Sequence, residues 1–270
     1  MPDLPPSPSG RPMTSTAALG WTLGLSIATH ACVRLTEMVR AGAANDWVNL
    51  GGCQTLSVLV ILFVILRIYV PDGSVREALG IRALAGWQFV LSVGLGVGLY
   101  PSMAMLDREI LKRFPYDAEE LAQFERLATV HTISERVVFI AIAFCVLPIT
   151  REIFFRGVLF EQISKSSTIR TAILATAAFF AFSFDFRTIP TELILGLALG
   201  RLRASTGTLL GPIVAEIAFW AVAAVPIAAG MNPNVDITYP TRYVVVGAVA
   251  ALLALVLVDR RAAANNRSGG

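Results

Sequence analysis

Residues 48–70 read VNLGGCQTLSVLVILFVILRIYV, and Arg67 is the only charge among them. Wound as a helix at about 1.5 Å per residue, a block of this length crosses the roughly 30 Å of a bilayer's hydrocarbon. A lipid-exposed chain must satisfy its own backbone hydrogen bonds, and the block lacks the two-residue alternation of a barrel strand, so a helix is the conformation expected. Working outward, similar blocks occupy about 16–33, 86–105, 133–150, 169–185, 189–202, 207–229 and 241–258. The fold class expected is all-α, a polytopic integral membrane protein of about eight transmembrane helices.

Composition supports this. The chain is 55% hydrophobic and 15% charged, against the 25% or so charged residues of a soluble domain. A net charge of +3 reflects topology here rather than an acidic partner, because basic residues collect in cytoplasmic loops. With the N-terminus inside, 13 of the 22 Lys and Arg fall on inside segments. Five of the other nine lie in one long connection, where the rule is weak. Both termini are therefore expected in the cytoplasm, and the chain in a cell membrane, plasma or bacterial inner. The bilayer is the partner implied, and no nucleic acid is.

Four segments follow: a disordered N-terminal tail at 1–15, transmembrane helices with an amphipathic connection at 16–132, a transmembrane core at 133–258 and a disordered tail at 259–270. The start, MPDLPPSPSGRPM, lacks the basic n-region of a secretory signal. The connection contains Asp117, Glu119, Glu120, Phe124 and Leu127, a pattern suited to a helix lying on the membrane surface as a cover or spacer. Cys32, Cys53 and Cys145 show no CxxC spacing, so inert buried thiols are expected. Glycines in GLGVGLY (94–100) and at Gly196 and Gly200 predict seams of close helix packing.

Chemistry is concentrated in the second half. In REIFFRGVLF (151–160) Glu152 and Arg156 stand at i and i+4, so they share a helix face and suit an ion pair. Downstream come FFAFSFD (179–185) and TGTLLGPIVAEIAFW (206–220), the latter a Gly turn feeding a Pro-containing helix with Glu216 at membrane depth. Charges at such depth are costly and are functional candidates by default.

The ordered trio resembles the CPBP family of CAAX-protease and bacteriocin-processing intramembrane endopeptidases, which includes the type II prenyl-protein CAAX endopeptidase. The family pattern is Glu-Glu-x-x-x-Arg followed by Gly, then Phe-x-x-x-His, then a Gly-Ser/Thr-Leu turn leading to His-x-x-x-Asn. The resemblance covers about residues 140–230. It implies that the leading Glu activates water, that a His assists, and that the last His and Asn stabilise an oxyanion or bind a divalent metal. With Phe155, Arg156 and Gly157 setting the register, Arg151 falls at the leading Glu and Glu152 at the second. Phe184 or Asp185 falls at the His of the second motif, Glu216 at the third-motif His and Trp220 at its Asn.

This register implies a degenerate site. An arginine cannot accept a proton at neutral pH, and the two histidines, His30 and His131, lie outside the motifs, so neither metal ligands nor a cofactor are expected. Glu152, Arg156 and Glu216 are the candidate catalytic residues. The expected function is a pseudoenzyme of the family, a scaffold or binding partner for other membrane proteins or lipidated peptides. Two alternatives stay open. One is an active endopeptidase with Glu152 as base and Glu216 as partner, drawing on the carboxylates Glu152, Asp185, Glu192 and Glu216. The other is a small-solute or ion transporter. Counting helical rise places Glu152 at the cytoplasmic edge, Glu216 roughly 14 Å inside and Asp185 near the opposite face, with Glu216 beside Arg156 as one expected pairing.

Overall fold

The computed structural model describes residues 12–122, 132–183, 185–228 and 239–268. Eight long helices run through these residues: α1 (Ser15–Val39), α2 (Trp47–Tyr69), α3 (Gly86–Arg113), α4 (Ile133–Ser166), α5 (Ile169–Ala181), α6 (Ile189–Thr206), α7 (Leu210–Ala228) and α8 (Thr241–Ser268). No strand occurs among the described residues, and the protein is a polytopic membrane protein. Five helices, α1 to α4 and α8, are long and apolar enough to cross a bilayer. The others fall short for visible reasons: α5 has 13 residues, and α6 carries Glu192, Arg201 and Arg203.

The surface is inverted relative to a water-soluble bundle. Leu23 and Ile27 on α1, Leu59, Val60 and Phe63 on α2, and Val245, Val246 and Leu252 on α8 are all more than half exposed. Apolar surface so continuous is stable only against lipid.

The core is built around α4, which contacts α2, α5 and α7. α3 packs against both α7 and α8, and α5 against α6. Glycine makes these seams possible. A Cβ on Gly96 would come within 2.0 Å of the Ala215 carbonyl oxygen on α7, and one on Gly98 within 2.6 Å of the Gly247 oxygen on α8. Gly196 lies against the Ala177 backbone, and Gly200 against Ile173. Gly94, grouped with the first pair from sequence, has nothing within 4 Å of its Cβ position.

Helices α1 and α3 run on past their expected ends, to Val39 and Arg113, and three further boundaries differ from the sequence expectation. α4 continues to Ser166 rather than stopping near 150, because the charges after that point are neutralised inside the bundle. α8 continues through 259–268, where a disordered tail was expected. The extension is anchored by Asp259, which accepts from Arg201 at 2.8 Å and from the Ser205 hydroxyl, and by Arg261, which stacks on Trp87. At the other end Met13 is buried, and its carbonyl accepts from the Ser166 hydroxyl at 2.6 Å. Residues 12–14 of the expected tail are therefore packed, and 1–11 lie outside the described residues. So do Phe124, Leu127 and His131 of the connection.

Candidate functional site

α4 is not uniform. Two π-helical stretches, Ile142–Val146 and Ile153–Leu159, interrupt its α-helical turns. The first precedes Pro148, whose ring and missing N–H disfavour an ordinary helical turn, and a widened turn is one way a helix continues past proline. The second contains Arg156 and Gly157. π-turns cluster at functional sites because they rotate the following side chains and loosen the carbonyl ladder.

Four charges meet in this stretch. Arg156 Nη1 lies 2.9 Å from Glu152 Oε1, and both side chains are fully buried. Arg151 Nη2 lies 2.6 Å from Glu216 Oε1 on α7, with Glu216 fully buried and Arg151 nearly so. The two carboxyl groups lie within electrostatic reach of each other, so the two arginines and two glutamates form one formally neutral cluster. The expected i, i+4 pair therefore exists, and it lies in the interior of α4. Glu216 pairs with Arg151, not with Arg156. The separation expected from helical rise does not hold either, because α7 brings Glu216 level with a site well inside α4.

Aromatic rings enclose the cluster. The Arg156 guanidinium sits 4.3 Å from the centre of the Phe180 ring. Arg151 sits 5.5 Å from Trp220 and 5.7 Å from Phe180. Ring faces stabilise a desolvated cation through their quadrupole. Arg156 also donates from Nη2 to the Gly196 carbonyl at 3.1 Å. The Arg156 carbonyl in turn accepts from Arg203 Nε at 3.2 Å, while Arg203 Nη2 binds Glu161 Oε2 at 2.8 Å. In this way Arg203 braces the π-turn that presents Arg156.

The three stretches singled out in the sequence thus converge: Arg151, Glu152 and Arg156 from the first, Phe180 from the second, Glu216 and Trp220 from the third. Asp185 does not join them. It is exposed and binds Arg187 Nη1 at 2.8 Å, since the turn after α5 carries it toward the segment following α3. Phe184 lies outside the described residues. Glu192 is drawn in from α6, within electrostatic reach of Arg151, Glu216 and Asp107. Asp107 itself accepts from the Thr191 hydroxyl at 2.7 Å.

Sequence reasoning missed Phe180, Gly196 and Arg203. Arg203 had counted only toward topology, and its spacing from the other charges carries no local signal.

Residues 133–222 match the family model described as type II CAAX prenyl endopeptidase Rce1-like. The match supports the resemblance of this core to the CPBP family. The match spans about a third of the chain. No curated protein and no solved structure shows significant similarity to the chain.

A divalent metal, which the CPBP resemblance brings with it, does not fit these residues. Each carboxylate of the cluster already faces a guanidinium within 2.9 Å, and a second cation would be repelled by both. Among the described residues no group of three His, Cys, Asp or Glu side chains converges.

Proposed function

We propose that this CPBP core is a pseudoenzyme, its peptidase site converted into a closed structural ion cluster, and that the protein works as a scaffold or binding partner within the membrane. The observation that carries the reading is the Arg151–Glu216 contact at 2.6 Å. In the family register these positions belong to the water-activating glutamate and to a histidine. Here a permanent cation replaces the base and a carboxylate replaces the imidazole. The two exchanges complement each other in charge, which supports a site retained for packing after its chemistry was lost.

Peptide hydrolysis needs a base that can take a proton from water and a group that stabilises the oxyanion. Glu152 is the one carboxylate in the matching motif, and it is fully buried against Arg156. Such burial shuts its carboxylate off from bulk water. Partners suited to the remaining surface are other membrane proteins or lipidated peptides lying among the exposed apolar helices.

One relationship favours a second reading, a carboxylate endopeptidase: Glu152 and Glu216 lie within electrostatic reach of each other. This reading requires the arginines to withdraw from both acids when substrate enters. Transport through the bundle, the third possibility, requires water at Glu216, and the complete burial of that side chain counts against it.

The deciding experiment incubates the purified protein with prenylated and unmodified peptides, beside Glu152→Gln and Arg151→Glu variants. No cleavage by the unaltered protein is expected. Cleavage that Glu152→Gln abolishes would establish the carboxylate enzyme instead.

A further inference from the structure

A polar cleft of about 580 Å³ opens where α4 and α6 end and α5 begins, bordered by the segment 74–83 that links α2 to α3. The segment is fastened to the α6–α7 turn. Leu209 N–H donates to the Gly80 carbonyl at 3.1 Å. The Thr208 hydroxyl donates to the Arg82 carbonyl at 2.8 Å and accepts from the Arg82 N–H at 3.1 Å. These bonds fix the Arg82 backbone and leave its side chain exposed at the cleft.

Arg76, Arg82 and Arg203 line the cleft against Glu77 and Glu161, a formal excess of one positive charge. Arg203 is already occupied, since its guanidinium holds Glu161 and the Arg156 carbonyl. The excess therefore rests on Arg76, whose Nε donates to the Ile81 carbonyl at 3.2 Å and leaves both Nη groups to the cleft, and on Arg82, with Glu77. Arg82 also stands within electrostatic reach of Arg203, and an anion between them would relieve that repulsion. Phe160 and Ile169 give the same cleft an apolar wall.

We propose that this cleft binds a monoanionic phosphodiester, supplied by the headgroup of an anionic lipid. The charge excess matches one phosphate, the arginine forks suit its oxygens, and the apolar wall suits the glycerol and first methylenes. It lies at the ends of α4 and α6, beside the segment that follows α2, where helices that cross a bilayer leave the hydrocarbon for the headgroup layer. The site is separate from the ion cluster, so it stands whether or not the core has peptidase activity.

The test uses the full-length protein in detergent, with native mass spectrometry and thermal unfolding after addition of phosphatidylglycerol, phosphatidylcholine or glycerol phosphate. Phosphatidylglycerol should bind at least about tenfold more tightly than phosphatidylcholine. Arg82→Gln, whose backbone anchors are untouched, should reduce that preference about fivefold, and adding Arg76→Gln should abolish it. Arg82→Gln should keep the unliganded melting temperature. Equal binding of the two lipids, or an unchanged preference in the double variant, would overturn the proposal. Saturable binding of glycerol phosphate as tight as that of phosphatidylglycerol would assign the cleft to a soluble phosphate ester and overturn the lipid assignment.

Discussion

Arg151 on α4 and Glu216 on α7 hold each other at 2.6 Å in a buried contact, which links the two helices that carry the first and third motifs. A buried ion pair adds little net stability over a well-packed apolar pair, yet removing one partner strands the other charge at a cost of about 3–5 kcal/mol. Arg151→Met alone should therefore unfold the protein at markedly lower denaturant. Arg151→Met with Glu216→Leu should recover most of the loss. Equilibrium unfolding in mixed micelles reads both, and strict additivity of the two single changes would refute the coupling.

Arg156 makes contacts that lysine cannot copy. Its planar fork reaches Glu152 and the Gly196 carbonyl together while its face rests on Phe180, whereas a lysine ammonium is a point charge on a flexible stem. Arg156→Lys should destabilise by about 2 kcal/mol or more, by analogy with a lost charge-assisted bond at a buried site. Phe180→Leu should be milder, since it removes only the ring beneath the cation. A lysine variant as stable as the parent would show that charge alone is sufficient at this position.

The α3–α7 seam offers a paired comparison. Gly96→Ala would drive a methyl against the Ala215 carbonyl and the Phe219 N–H, whereas Gly94→Ala meets open space. The first should cost about 1–3 kcal/mol through overpacking. The second should be neutral or slightly stabilising, since alanine favours helix over glycine. Thermal unfolding of the two single variants checks the contrast, and equal melting temperatures would contradict the seam.

Arg187 clasps the segment after α3 to the turn before α6. It binds Glu120 at 2.9 Å, Asp185 at 2.8 Å and the Phe114 carbonyl at 3.1 Å. The two acids raise its pKa, the Glu120 contact contributing most, so the clasp stays charged throughout the working pH range. Arg187→Ala should release residues 114–122. Limited trypsin digestion should then cut at Lys112 or Arg113 several times faster than in the unaltered protein.

Asp46 caps α2 through the Val48 N–H at 2.8 Å and pairs with Arg40. Burial pushes its pKa up, but Arg40 and the Val48 and Asn49 N–H groups outweigh this and leave it below the usual aspartate value. A folded pKa below the unfolded one gives stability that is present above pH 4 or so and lost as pH falls through the folded value. Asp46→Asn keeps the cap but should flatten this acid-side loss in a melting-temperature titration.

Much of the molecule was legible from local pattern. Apolar blocks of bilayer length are a property of consecutive residues, so the helical membrane fold could be read without contacts. The Glu152–Arg156 pairing was legible for the same reason: i, i+4 geometry belongs to one helix. Boundaries failed where a charge was satisfied from afar. Arg151, Glu152 and Arg156 looked like the end of a span, although α4 carries them through the core, and Asp259 looked like the start of a tail until Arg201 and Ser205 held it.

The sequence by itself therefore determined the membrane class, the helices and which stretches carry charge to the middle of the chain's core. Only the tertiary structure decided which charge answers which. The π-turn at 153–159 widens the helix around Arg156 and Gly157, and no local spacing in the sequence signals it. The packing of α7 on α4 then gives Glu216 to Arg151, and the α5–α6 seam places Phe180 and the Gly196 carbonyl around Arg156. Those partners come from separate helices, and their meeting depends on interhelical packing that no single stretch of sequence encodes.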